Sequence, residues 1–251
     1  MSSLYDALDK NEFFLVFQPQ IAHHSVVGFE ALLRWNSPAH PEISPVQFIP
    51  LIGQAGLTNV VGKWIFATAC QFARTLLDYG WNGCIHINVS PIQLAMDDFV
   101  DMIFQIIQET GVPSTNIGIE ITEDACMTSF LSMEKVVDKL EQITTAGIHL
   151  AMDDFGTGYS SLTLLNQLPF DTIKIDKSFI DKIGTTYKEE QLVASIIQMV
   201  HFLDKKIVAE GVETEQQLAF LRDKRCDIIQ GYLYSKPLRE KEAIAFLARR
   251  L

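Results

Sequence analysis

The sequence predicts an α/β fold: a closed barrel of eight strands alternating with helices, its first strand inverted relative to the rest. Three observations predict it. The 251 residues contain eight short β-like runs. From the second run onward each is followed by a helical stretch. Each run also carries a polar residue on a shared face, at or near its C-terminal end. The length suits a single barrel of about 250 residues. One domain therefore accounts for residues 1–251.

The runs are Phe13–Gln18, Val26–Arg34, Cys84–Val89, Ile117–Ile121, Ile148–Asp153, Thr172–Asp176, Ile207–Glu210 and Asp227–Tyr232. Only seven residues separate Gln18 from Val26, too few for a crossover helix, so the first two runs form an antiparallel hairpin. Helices are expected at Pro45–Ala55 and Val60–Tyr79. A single helix over Ile92–Thr110 follows Ser90-Pro91, a cap and first-turn pair. Ser129–Ala146 begins at a serine and stops at Gly147. Lys188–Leu203, Glu213–Lys224 (opened near Thr214) and Glu240–Arg249 complete the set. Strands alternating with helices give parallel β-α-β units. An open doubly wound sheet is the alternative, and side-chain parity decides against it.

Side chains alternate across a strand with period two. Ile85, Ile87 and Val89 oppose His86 and Asn88; Ile117, Ile119 and Ile121 oppose Gly118 and Glu120. Leu150 and Met152 oppose Ala151 and Asp153; Ile173 and Ile175 oppose Lys174 and Asp176. Phe29, Ala31 and Leu33 oppose Glu30 and Arg34, and Gln18, Glu210 and Gln230 fall on the equivalent faces of their own runs. The aliphatic faces must pack on helices. The others then converge on a bore whose top is where parallel barrels keep their active sites.

Composition restricts the partners. Thirty-one acidic residues against twenty basic ones give a net charge of −11. That balance argues against long nucleic acid and against an anionic membrane surface. An anionic substrate then needs a local reversal of the field, which bound metal cations supply. Hydrophobic residues at 48% and charged residues at 20% indicate a globular chain rather than a disordered one. Cys70, Cys84, Cys126 and Cys226 form no C-x-x-C pair and read as buried thiols of a reducing cytoplasm. The N-terminus has no signal-peptide pattern, and no apolar run is long enough for membrane insertion.

Glu30, Glu120, Asp153 and Asp154 bring four carboxylates together, with Asn88 among them. Buried without partners they would repel one another and take up protons. Oxygen-rich clusters of this kind suit Mg²⁺ or Mn²⁺, and four negative charges balance two divalent ions. Asp153 is the simplest bridge between two metals about 3.5–4 Å apart, an arrangement that activates water against phosphoesters. Asp154 has the wrong parity for the bore and joins only if the strand ends there and the chain turns. Lys174 either holds the attacking water or neutralises phosphate charge. Glu210 is either a general base or part of the second metal's shell. Arg34 offers forked donors to a phosphate.

Other signals carry less. Gly53–Trp64 has the wrong spacing for a phosphate loop, and Trp64 stands where Ser or Thr would bind Mg²⁺. F-G-T-G-Y-S-S lacks the third glycine of a dinucleotide fingerprint. His86 and His149 face the interior as hydrogen-bonded core histidines rather than ligands. His23-His24 is an unusual pair for a hairpin turn and reads as solvated.

The motifs together resemble the EAL-domain family of cyclic di-GMP phosphodiesterases. They are E-A-L-L-R-W at Glu30–Trp35, I-N-V-S at Ile87–Ser90, E-I-T-E at Glu120–Glu123 and D-D-F-G-T-G-Y-S-S at Asp153–Ser161. I-K-I-D-K at Ile173–Lys177, A-E-G-V-E at Ala209–Glu213 and Q-G-Y-L-Y-S-K-P-L at Gln230–Leu238 follow in the family's order. The resemblance implies a modified TIM (β/α)8 barrel with an antiparallel first strand. It implies metal-dependent hydrolysis of cyclic di-GMP to linear pGpG. Glu30, Asn88, Glu120 and Asp153 match ligands of one metal, and Asp153 and Asp154 match ligands of a second. Lys174 and Glu210 match residues that engage the attacking water or the second metal. Gln18, Arg34 and Gln230 match substrate-side positions. Glu123 matches the glutamate that braces the Asp-Asp loop, and Glu213 is a conditional outer candidate. The family often reads F-I-P-L-A-E-E where this chain has F-I-P-L-I-G-Q at Phe48–Gln54, a change expected to touch packing or an interface. No cyclase, receiver or PAS-like segment precedes Phe13, so the chain is expected to be a stand-alone enzyme or an excised domain. A homodimer built near the Asp-Asp loop is a further family-based expectation. The alternative is a non-catalytic EAL module that binds cyclic di-GMP or a protein partner. The metal ligands, all retained here, argue for the enzyme.

Overall fold

The computed structural model describes residues 2–38, 43–123, 132–156 and 162–249. Its eight strands close in sequence order into one barrel. They are β1 (Phe13–Ala22), β2 (Ser25–Trp35), β3 (Cys84–Asn88), β4 (Ile117–Thr122), β5 (His149–Phe155), β6 (Thr172–Ile175), β7 (Lys206–Ala209) and β8 (Ile228–Gln230). β1 runs antiparallel to both neighbours, β2 and β8, while the other pairs are parallel.

The expected parity holds. Ile85, Ile87, Ile117, Ile119, Ile121, Leu150, Met152, Ile173, Ile175 and Ile207 are all buried under the surrounding helices. Burial of one such side chain stabilises by roughly 1.5–3 kcal/mol, so this aliphatic layer holds the helices to the sheet. The bore side carries the polar set, at a depth dictated by register. Gln18 pairs with Glu30, Glu30 with His86, and Asn88 with Glu120.

Several details differ from expectation, among them the ends of β5 and β8. β1 does not stop at Gln18 but continues four residues to Ala22, so its hairpin turn shrinks to His23-His24. An antiparallel β1 has its C-terminal end at the opposite mouth, so Gln18 reaches the acidic mouth from mid-strand. The single helix expected over Ile92–Thr110 is two, Pro91–Ala95 and Phe99–Thr110. Met96 takes an extended conformation (φ −69°, ψ 136°) and breaks the run. Ser90 caps the first piece as expected, its hydroxyl accepting from the Gln93 amide. The helix expected from Ser129 is described from Met133 to Thr145, with Ser132 in the cap position and Gly147 left-handed beyond its end. Ser129 and Cys126 lie outside the described residues. Cys70, Cys84 and Cys226 are free, and burial pushes the Cys70 thiol up to about 12, as suits an inert structural group.

Candidate active site

β2 delivers Glu30 to the centre of the bore, and two neighbours fix both of its oxygens. Asn88 on β3 donates to Oε1 at 2.7 Å, and Gln230 on β8 donates to Oε2 at 2.5 Å. Burial alone would lift this carboxyl. The nearby Lys174 charge and those two donors outweigh it and hold Glu30 below its usual range.

Lys174, fully buried on β6, is the hub of the cluster. Its Nζ lies 2.5 Å from Glu120 Oε2, 2.8 Å from Glu210 Oε1, 3.0 Å from Asp153 Oδ1 and 3.7 Å from Glu30 Oε2. Burial disfavours the ammonium, but four surrounding carboxylates raise its pKa well above the ordinary value, and it stays charged. One cation cannot balance four acids. Glu120 is pushed well up by burial and by the adjoining carboxylates, and Glu210 is pushed up to about 8 by burial, with Asp153 and Glu30 adding to it. Glu120 and Glu210 thus hold protons more tightly than ordinary carboxyls do, a strain that divalent cations would relieve.

Asp154 enters by a route other than the one expected. β5 does not end there. It continues to Phe155, and a register break between Met152 and Phe155 marks a bulge. Asp154 sits in the left-handed region (φ 55°), which swings its carboxylate onto the side its parity forbids. Its amide donates to Asp153 Oδ1 at 3.0 Å. The outcome is two groups of oxygens, Glu30–Glu120–Asp153 and Asp153–Asp154–Glu210, each with ligand atoms within 4.8 Å of one another. Asp153 belongs to both.

The substrate-side residues lie around this ring. Gln230 Nε2 also approaches Gln18 Oε1 at 3.4 Å, and Gln20 donates to Gln230 Oε1 at 3.0 Å. Gln20 was not singled out from the sequence. It shares the parity of Gln18 and was hidden only by ending β1 too early. Arg34 is half-buried, with Nη1 on the Leu33 carbonyl. It lines a cleft of about 560 Å³ beside the ring, together with Glu30, Asn88, Thr122 and an aliphatic wall that includes Ile52 and Ile65. Glu123 is buried just past β4. The loop it was expected to brace includes 157–161, outside the described residues. Glu213 is exposed and pairs with Lys177 Nζ at 2.7 Å, away from the two acid groups.

At the opposite mouth, His149 pairs with Asp171 at 3.0 Å, and this bond holds the imidazole pKa above its usual value. His86 lies deeper, where burial and the Lys174 charge push it down to about 4, so the ring is neutral at physiological pH. A cavity of about 170 Å³ leads from this mouth past His149 and His86 to Glu120 and Lys174.

The barrel agrees with comparisons to known proteins. The family model described as "EAL domain" matches residues 1–237. Over 253 residues the chain is 35% identical to the bifunctional diguanylate cyclase/cyclic di-GMP phosphodiesterase MucR of Pseudomonas aeruginosa, covering 99% of this chain and 36% of that protein. It is 37% identical to the cyclic di-GMP phosphodiesterase NbdA of the same organism, covering 94% of this chain and 30% of that one. A solved structure of the MucR phosphodiesterase in complex with c-di-GMP superposes with a TM-score of 0.91 at 35% identity, covering 96% of this chain and 98% of that chain. An inverted-first-strand barrel with an acidic C-terminal mouth defines the class. The chain belongs to the EAL domain family. It spans about a third of the length of the curated relatives it matches. Among the described residues, no helix is long and apolar enough to cross a membrane.

Proposed function

We propose that this domain is a metal-dependent phosphodiesterase, a hydrolase that cleaves one phosphodiester bond of cyclic di-GMP and releases linear pGpG, working with two Mg²⁺ or Mn²⁺ ions in the active state. The observation that carries the reading is the pair of acid groups sharing Asp153, with Lys174 seated among them. The donors are all oxygens, the type hard divalent ions take. The names of MucR and NbdA, and the c-di-GMP complex of the MucR phosphodiesterase, support the substrate.

Glu30, Asn88, Glu120 and Asp153 would hold one ion, and Asp153 and Asp154 the second, with Glu210 in reach of it. Such ions, when bound, supply Lewis acidity toward a phosphoryl oxygen and toward water. Lys174 keeps its proton, so its part is to donate to the incoming water or the phosphate rather than to accept from either. Arg34 meets a phosphate at the rim, and Gln18 and Gln230 orient the sugar-phosphate ring. The aliphatic wall of the adjoining cleft takes a base face-on and excludes water there. Glu123 braces the turn after Asp154. Work on a bacterial second messenger sets the domain in the cytoplasm.

Purified protein incubated with Mn²⁺ or Mg²⁺ is expected to convert cyclic di-GMP to pGpG by liquid chromatography, and excess chelator to stop it. Glu30→Ala, folded by circular dichroism, is expected to lose most of that turnover. Tight nucleotide binding without turnover across several metals and pH values would instead establish a non-catalytic module.

A further inference from the structure

We propose that His86 is a positioning residue for Glu120, holding from behind, through its Nδ1–H, the one carboxylate oxygen that Lys174 leaves free. The inference rests on the reading that the acidic ring binds divalent ions.

The bore is cleared for this ring. β3 carries His86 inward, where its partner on β4 is Gly118 and its partner on β2 is Glu30. A Cβ on Gly118 would stand 2.5 Å from His86 Nδ1, and one on Gly28 would stand 3.3 Å from its Cδ2. A side chain at position 118 could not be borne without moving the imidazole, whereas at Gly28 the first obstruction is Gln20 Oε1 at 2.7 Å.

Within the seat that Gly118 leaves, two polar atoms face each other. His86 Nδ1 and Glu120 Oε1 are both buried without a hydrogen-bond partner, and they lie 3.6 Å apart. That separation exceeds a good N–H···O bond by roughly half an ångström. A small turn of either side chain closes it, and the cavity from the opposite mouth reaches both residues with room for a bridging water. The other oxygen, Oε2, is already taken by Lys174 at 2.5 Å. Glu120 is therefore gripped at one oxygen and faced at the other by His86 Nδ1, which donates in the tautomer the proposal requires. Outer partners of this kind orient a ligand, and their loss typically lowers metal affinity or activity about 10–100-fold.

The test compares His86→Leu, which fills the seat without a donor, and His86→Gln, which keeps one. Mn²⁺ affinity is read by electron paramagnetic resonance on substrate-free protein, with thermal melts in chelator confirming that each variant folds. His86→Leu is expected to bind Mn²⁺ about 10–100-fold more weakly, and His86→Gln to recover most of the loss. Gly118→Ala, which keeps the histidine but displaces it, is expected to behave like His86→Leu and carries the test should that variant not fold. Wild-type affinity in His86→Leu or in Gly118→Ala, or a glutamine variant no better than leucine, would overturn the proposal and leave the metal reading standing. A wild-type protein that binds no Mn²⁺ would overturn both.

Discussion

Lys174 shows how one residue makes an otherwise repulsive cluster foldable. It is 1% exposed and touches Glu120, Asp153 and Glu210 within 3.0 Å. Removing one partner of a buried ion pair leaves uncompensated charge and typically costs about 3–5 kcal/mol. Lys174→Met fills the volume without the charge. In chelator at pH 8, denaturant titration is expected to show a loss near that range. At pH 5 the loss should shrink, because Glu120 and Glu210, both shifted upward, then carry protons and the methionine no longer faces a full set of anions. Saturating Mn²⁺ should restore part of the stability by binding the native state alone. Equal stability of variant and wild type at pH 8 would mean that the lysine does not neutralise the ring.

At the scale of elements, the β1–β2 hairpin offers a local test. Its two-residue turn puts both His23 (φ 47°) and His24 (φ 76°) in the left-handed region, where Asn-Gly is preferred. Such a conformation costs a side-chain-bearing residue about 1–2 kcal/mol, and glycine's extra entropy loss returns about 0.5–1 of it. His24→Gly is thus expected to stabilise by about 0.5–1 kcal/mol and raise Tm by a few degrees. Turnover should not change, since the turn stands at the mouth opposite the acids. A lowered Tm would show the histidine making a contact worth more than the strain. The same hairpin shows what sequence can and cannot convey. The short Gln18-to-Val26 gap suffices to make the pair antiparallel, because loop length limits topology. It does not locate the turn, because His-His has no turn chemistry, and Gln20 was hidden with it. Likewise Ser90-Pro91 announces a helix start. In I-Q-L-A-M-D-D-F the one sign of a second start is Asp97-Asp98, Asp98 standing at the cap position before Phe99, and the apolar pattern running through Met96 masks it. The bore residues were legible because alternation is a period-two signal. The bulge that turns Asp154 inward is not periodic and left no trace in the pattern.

Across the whole molecule, the barrel stacks acids at one mouth and leaves Lys174 as the buried cation among them, on a chain of net charge −11. The sequence makes the cluster visible but not its electrical state, since that depends on depth and distance. Burial raises Glu210 from 4.5 to about 8 and raises Glu120 well above its usual value. Between the unfolded and folded values the native state holds more protons than the unfolded state, so stability must fall as pH rises through that window. The metal-free protein is therefore expected to melt at progressively lower temperature from about pH 5 to pH 8. Divalent ions bound at the proposed site would replace those protons, so the slope should flatten or reverse in saturating Mg²⁺ or Mn²⁺, with metal affinity itself rising with pH. Differential scanning fluorimetry over that range, with chelator and with each metal, reads both slopes directly. Parallel curves with and without metal would mean that the ions bind elsewhere, or that the acids share their charge with the protein in some way other than through these protons. A metal-dependent change of slope that disappears in Asp153→Asn would tie the linkage to the one carboxylate common to both groups.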